Sequence, residues 1–272
     1  MKKIILITGG SSGMGKSAAY LLNEKGHTVY AAARSVDEMK DLEEKGIHIV
    51  YLDLTEEKSI VSCVEKVLAA ENQIDVLINN AGYGSYGAVE DVSLEEAKRQ
   101  FEVNLFGLAR ITQLVLPKMR EQKSGRIINI SSMAGKIYTP FGAWYHATKH
   151  ALEGWSDCLR LEVKDFGIDV VVIQPGGIKT PWGEIAAENL KKTSGDGAYA
   201  TIANKVADSM HETYTSDRLT DVDVLGKLIA KTAVTSSPNR RYAKGFMAKP
   251  AMFLRKWLGD ALFDKIMRTQ MK

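Results

Sequence analysis

Short apolar runs alternate along this chain with longer stretches of helical spacing, and glycines mark many of the changes. Residues 3–8 are nearly all apolar and rich in isoleucine, as suits a central parallel strand covered on both faces. Further strand patterns occupy 27–33, 47–52, 74–78, 126–130 and 168–173, with 240–243 a candidate edge strand. Helical patterns run over 16–25, closed by Gly26, over 36–45, closed by Gly46, and over 56–70, where Thr55 is the preferred N-cap. A helical region from Ser93 carries Asn104 among apolar residues, so its side chain should bond to backbone or organise a water. Tyr145 and Lys149 lie on another helix, and 223–233 form one more. Residues 181–217 mix Trp182, Ile185, Leu190, Met210 and Tyr214 with a flexible 193–197 stretch, the composition of a mobile lid with an apolar lining.

The alternation predicts an α/β fold: a doubly wound (Rossmann) parallel sheet of about seven strands, helices on both faces, and a helical C-terminal extension. A single domain over 1–272 is expected, with 181–272 forming the substrate lid and the extension. At 272 residues and 45% hydrophobic the chain can bury a full core, and a net charge of +3 gives no reason to expect nucleic acid as partner. The two cysteines, Cys63 and Cys158, fall in helical patterns and read as reduced packing residues. Gly9-Gly10 cuts the first apolar run too short for a signal peptide, and no stretch is long enough to cross a bilayer, so a cytoplasmic protein is expected.

Charge is uneven. From Lys231 onward ten Lys or Arg stand against Asp260 and Asp264, which is +8 and leaves −5 for the rest. Packing of this tail on the fold or on a second subunit is the default expectation, with peripheral attachment to an anionic membrane the minority one.

Candidate chemistry begins at the first turn. Thr8-Gly9-Gly10-Ser11-Ser12-Gly13-Met14-Gly15 joins a strand to a helix, the setting in which a nucleotide phosphate sits on a helix N-terminus. Arg34, at the end of the second strand, offers a guanidinium for a 2′-phosphate and favours NADP(H), with NAD(H) possible through Asp37 or Glu38. With Thr55 as the helix cap, Asp53 is free to accept from an adenine amine. Asn79-Asn80-Ala81-Gly82 and Gln174-Pro175-Gly176-Gly177-Ile178-Lys179-Thr180 break two strands where ligands gather in such sheets. Tyr145 and Lys149 share a helical face, and a serine from Ser131-Ser132 can reach it. The ammonium should bring the phenol down from its ordinary pKa of about 10, giving a proton-transfer device. His146 and His150 have the spacing of helical zinc ligands, but no partner motif accompanies them; two exposed imidazoles and no metal are expected.

Taken together, these motifs resemble the short-chain dehydrogenase/reductase family over roughly residues 1–185. The resemblance implies hydride transfer between a nicotinamide cofactor and a carbonyl or alcohol of a small-molecule substrate, in a homodimer or homotetramer. It singles out Ser132, about thirteen residues before the tyrosine, to steady the substrate oxygen. Tyr145 becomes the proton donor or acceptor, Lys149 lowers its pKa and holds the nicotinamide ribose, and Asn104 fixes a water in a proton relay. Ile178 and Thr180 should meet the carboxamide, Ser12 and Arg34 match NADP-preferring members, and Asp53, with Leu54 beside it, matches the adenine contact. The spacing Tyr145-x-x-x-Lys149 differs from that of enoyl reductases and favours carbonyl over alkene chemistry. Within the family the chain looks most like the hydroxysteroid and retinol dehydrogenase branch, with an apolar substrate. A non-catalytic nucleotide-binding regulator, and an epimerase or dehydratase, are the alternatives.

Overall fold

The computed structural model describes residues 1–269 and 271. In chain order it runs β1 (Ile4–Thr8), α1 (Gly13–Glu24), β2 (Thr28–Ala33), a 3-10 turn (Val36–Met39), α2 (Lys40–Glu43), β3 (His48–Tyr51), α3 (Glu57–Glu71) and β4 (Val76–Asn79). The second half continues with α4 (Leu94–Phe101), a π-turn (Glu102–Phe106), α5 (Gly107–Glu121), β5 (Gly125–Ile130), α6 (Ala143–Glu162) and β6 (Ile168–Pro175). It closes with α7 (Trp182–Ser194), α8 (Ala200–Thr215), α9 (Val222–Val234), β7 (Arg241–Lys244) and α10 (Ala248–Thr269). The strands form one sheet of seven in the order β3-β2-β1-β4-β5-β6-β7, and every pair is parallel.

The inner strands β1, β2, β4, β5 and β6 are buried on both faces, which is why they are mostly apolar rather than alternating, while the edge strands β3 and β7 are partly exposed. Ile5, Ile7, Val29 and Ala31 pack on one side against α1 (Ala18, Leu22) and α9 (Leu225, Ile229). Leu6, Leu77, Ile127 and Val170 pack on the other against α3 (Ile60, Val64) and α5 (Ile111, Val115). The strand order reverses beside β1, so the carboxyl ends of β1 and β4 open a crevice there, continued by the ends of β5 and β6.

Several expectations need correction. The predicted 36–45 helix is only a 3-10 turn and one α-turn, because Met39 and Leu42 are all it buries. Helix α3 is capped by Glu56 and not Thr55, and the Thr55 amide and hydroxyl instead bond to Asp53 Oδ1 at 2.9 and 2.8 Å. Cys63 is buried as expected, but Cys158 is exposed on α6. The expected lid is a pair of helices, α7 and α8, with a small core of its own (Ala186, Leu190, Ala203, Val206) seated on Tyr145. The stretch read as flexible holds the end of α7 and the turn beyond it.

Helix α10 breaks at Gly259, whose φ of 69° suits the residue without a Cβ. Its Ala251 and Phe263 pack on Ile137 in the loop that follows β5.

Candidate active site

The first glycine turn is held by the fourth strand's turn pressing on it. Thr8 Oγ1 accepts the Asn80 and Ala81 amides, each at 3.1 Å, and Asn80 Nδ2 donates to the Thr8 and Gly9 carbonyls at 3.1 and 3.0 Å. A Cβ on Gly15 would lie 2.4 Å from both Asn80 Nδ2 and the Gly9 carbonyl oxygen, so that glycine serves the packing of the turn. Helix α1 starts just beyond with no side-chain cap from Ser12 and no acidic residue in its first turn. Its amide end is thus left for an anion.

A hollow of about 570 Å³ opens over this turn, within the usual range for small-molecule and cofactor sites. Of the residues named from the sequence as cofactor contacts, Gly9, Ser11, Ser12, Gly13, Met14, Arg34, Asp53, Leu54, Asn80, Ala81, Gly82 and Thr180 line it and Gly15 does not. Tyr83, Glu96, Arg99 and Val103 also line it and were not anticipated. The carboxylates on this wall are engaged, Glu96 by the Tyr83 hydroxyl at 3.0 Å and Asp53 by Thr55. Asp53 is engaged through Oδ1, which accepts the Thr55 amide and hydroxyl.

An adjoining cavity of about 170 Å³ brings together Ser132, Tyr145, Lys149, Pro175, Gly176, Ile178 and Thr180. It shares Met14, Asn80, Gly82 and Trp182 with the larger hollow, so the two form one cleft. Tyr145 and Lys149 are only 7% and 6% exposed. Lys149 Nζ donates to the Ile130 carbonyl at 2.9 Å, and Ser132 Oγ accepts the Ala134 amide at 3.1 Å. Tyr86 and Trp182 stand around the phenol with ring centres 6.0 and 5.1 Å away.

That enclosure decides the proton chemistry. Burial pushes Tyr145 up to about 12, and its hydrogen bond with Ser132 pulls the other way. Burial pushes Lys149 down to about 8, opposed by the Glu153 carboxylate. The expected lowering of the phenol is therefore not met with protein groups alone around it, because desolvation outweighs the Ser132 hydrogen bond.

Asn104 is fully buried in the π-turn and lines neither cavity. Its Oδ1 accepts the Tyr83 amide at 3.0 Å, and its Nδ2 donates to the Tyr83 carbonyl at 2.8 Å and to Thr148 Oγ1 at 3.1 Å. This side chain ties the β4 loop to α6, the bonding to backbone that its place among apolar residues led one to expect. His146 is also corrected: it is buried, with Nδ1 facing the Ala134 and Ile137 carbonyls and Nε2 facing Thr139, and burial lowers its pKa to about 4. His150 is exposed, and among the described residues no cluster suited to a metal ion occurs.

Behind the lysine lies a network that the sequence reading passed over. Glu153, 2% exposed, accepts from Gln174 Nε2 and Arg241 Nε, both at 3.0 Å, and pairs with Lys136 Nζ at 3.3 Å. Arg241 also reaches Asp157 at 2.6 Å. Tyr145, Lys149, Glu153 and Asp157 are spaced four apart on α6, and that stripe was the available signal. The network ties the ends of β6 and β7 and the loop after Ser132 to the helix carrying Tyr145.

The comparisons agree with this geometry. The family model for "short chain dehydrogenase" matches residues 3–191. A 3-ketodihydrosphingosine reductase of Bacteroides thetaiotaomicron is 43% identical over 179 residues, 65% of each chain. An NADPH-dependent 3-dehydrocapnine reductase of Ornithobacterium rhinotracheale is 32% identical over 281 residues, 98% of this chain and 96% of that one. The crystal structure of a short-chain dehydrogenase from Streptomyces avermitilis superposes with a TM-score of 0.81 at 30% identity, covering 99% of both chains. With the parallel sheet, the glycine turn and the Ser-Tyr-Lys wall in place, the chain belongs to the short-chain dehydrogenase/reductase family of oxidoreductases.

Proposed function

We infer that this oxidoreductase uses NADP(H) to interconvert a carbonyl and an alcohol on a small to medium, apolar molecule. The observation that carries the reading is the wall on which Ser132, Tyr145 and Lys149 meet, continuous with a hollow whose glycines admit a dinucleotide. The residues present suit that cofactor. Ser11, Ser12, Gly13 and Met14 offer amides and a hydroxyl to its phosphates, and Arg34 faces the same hollow. Ile178 and Thr180 line the shared end, where a nicotinamide would lie. The relative from Ornithobacterium rhinotracheale, similar along nearly the whole chain, is an NADPH-dependent reductase, and the Bacteroides relative is also a reductase.

When bound, the nicotinamide supplies the hydride that reduces the carbonyl carbon, or takes it back in the reverse direction. In reduction, Tyr145 gives its hydroxyl proton to the carbonyl oxygen while Ser132 Oγ hydrogen-bonds that oxygen. Lys149 faces the phenolate that remains and lowers its energy. Glu153 favours the charged form of Lys149, and Asn104 holds the Tyr83 loop beside it. Tyr86 and Trp182 keep water away and give the substrate apolar walls.

Steady-state consumption of NADPH and of NADH against a panel of apolar ketones tests this. Sustained turnover with NADPH preferred is expected. Binding without turnover across the panel would contradict the reductase reading, and an equal rate with NADH would contradict its cofactor half.

A further inference from the structure

Helix α10 has two unlike faces on its first half. At 100° per residue, Ala248, Ala251, Met252 and Arg255 point one way and pack on the protein. Lys249, Phe253, Lys256 and Trp257 point the opposite way, into solvent. Phe253 and Trp257 are 62% and 66% exposed, with their rings 6.2 Å apart. Lys256 Nζ lies 5.1 Å from the centre of the Trp257 ring.

The charge on this helix is one-sided. Asp260 is paired with Arg255 at 2.6 Å, and Asp264 accepts the Tyr138 hydroxyl at 2.6 Å. Among the described residues Lys249, Lys256, Lys265 and Arg268 have no ion-pair partner. The surface thus presents exposed aromatic rings edged by unpaired cations. A second copy is a poor occupant, because a two-fold contact presents the same patch twice and this patch offers its lysines no unengaged carboxylate, Asp260 and Asp264 being bonded to Arg255 and Tyr138.

We propose that this face docks the protein on an anionic lipid surface, with Phe253 and Trp257 among the acyl chains and Lys249 and Lys256 at the headgroups. The rings lie toward one edge of the exposed face and the lysines toward the other, the division of labour that interfacial helices use. The packed side of the same helix meets Met133 and Ile137, which also line the cavity holding Tyr145. Docking there sets the cleft beside the lipid, where an apolar substrate is concentrated. The proposal stands on the surface alone and is independent of the cofactor and the reaction.

The test is co-sedimentation of the full chain with phosphatidylcholine vesicles, with and without phosphatidylserine. Wild type should pellet with the anionic vesicles only, and added salt should release it. Phe253→Ser/Trp257→Ser and Lys249→Glu/Lys256→Glu should each reduce the pelleted fraction about tenfold. The tryptophan emission of wild type, which comes from Trp144, Trp155, Trp182 and Trp257, should shift to the blue on adding the anionic vesicles, and Trp257→Phe should abolish the shift. Failure of wild type to pellet, pelleting of both variants equal to wild type, or an unmoved emission spectrum would overturn the proposal. So would a fall in solution mass in the variants, which would make a second copy the occupant.

Discussion

The two ends of the cleft are built on opposite principles. The glycine-turn end is open, shaped by backbone, and carries exposed guanidiniums with its carboxylates already engaged. The tyrosine end is closed around its reactive groups, burying an ammonium and a phenol that are each pushed toward the neutral form. An open end can recognise charge at little cost to the fold. The closed end keeps its reactive groups dry, and the fold must carry a buried cation to do so.

Changes at the closed end should therefore hit chemistry or stability, and changes at the open end should hit binding. The largest effect is expected for Tyr145→Phe, with kcat lower by about 10²–10⁴ and the cofactor dissociation constant hardly moved. Initial rates and a cofactor fluorescence titration measure both. A comparable loss of binding would erase the distinction between the ends.

Next comes Glu153→Gln. Breaking a buried pair costs about 3–5 kcal/mol, and the lower figure applies because Arg241 and Lys136 reach solvent. Urea unfolding at neutral pH should show it.

Lys149→Met should move the other way, losing activity while gaining stability. A lysine held at about 8 against its ordinary 10.5 costs the folded state about 3 kcal/mol below pH 8. The lost bond to Ile130 returns about 1 kcal/mol, which leaves a gain of about 2 kcal/mol. Between pH 8 and 10.5 the unfolded chain holds that proton more tightly, so wild type gains stability as pH rises and the variant's advantage shrinks. Denaturant midpoints at pH 7 and pH 10 check the sign.

Arg34→Ala is expected to have the smallest effect. It should weaken NADPH about tenfold, or about 1.4 kcal/mol, and leave NADH nearly unchanged. Equal weakening of both would move Arg34 away from the 2′-phosphate.

Legibility in the sequence divides along the same line. The glycine turn was readable because close backbone approach admits few residue types: a Cβ at Gly15 collides with the Gly9 carbonyl, whatever the rest of the molecule does. The sheet was readable because strands buried on both faces must be apolar. Tyr145, Lys149 and Ser132 were readable as a spacing, but their proton affinities were not, since burial comes from α7 and α8, far along the chain. His146 was misread because its ring is held by the Ala134 and Ile137 carbonyls in a loop that only the folded chain brings against it, whereas the bonding of Asn104 to backbone was readable from its place among apolar residues. The Glu153 network needed β7 to arrive from the other end of the sequence.

The central claim is that the enclosed phenol keeps its proton until a further positive charge joins Lys149 beside it. Ultraviolet difference spectra of wild type minus Tyr145→Phe, from pH 7 to pH 10, measure that proton directly. Without cofactor no phenolate band from Tyr145 should appear, in keeping with a pKa of about 12, and with oxidised cofactor added the band should emerge within this range. A phenolate present in the protein alone, or none on adding the oxidised cofactor, would contradict it.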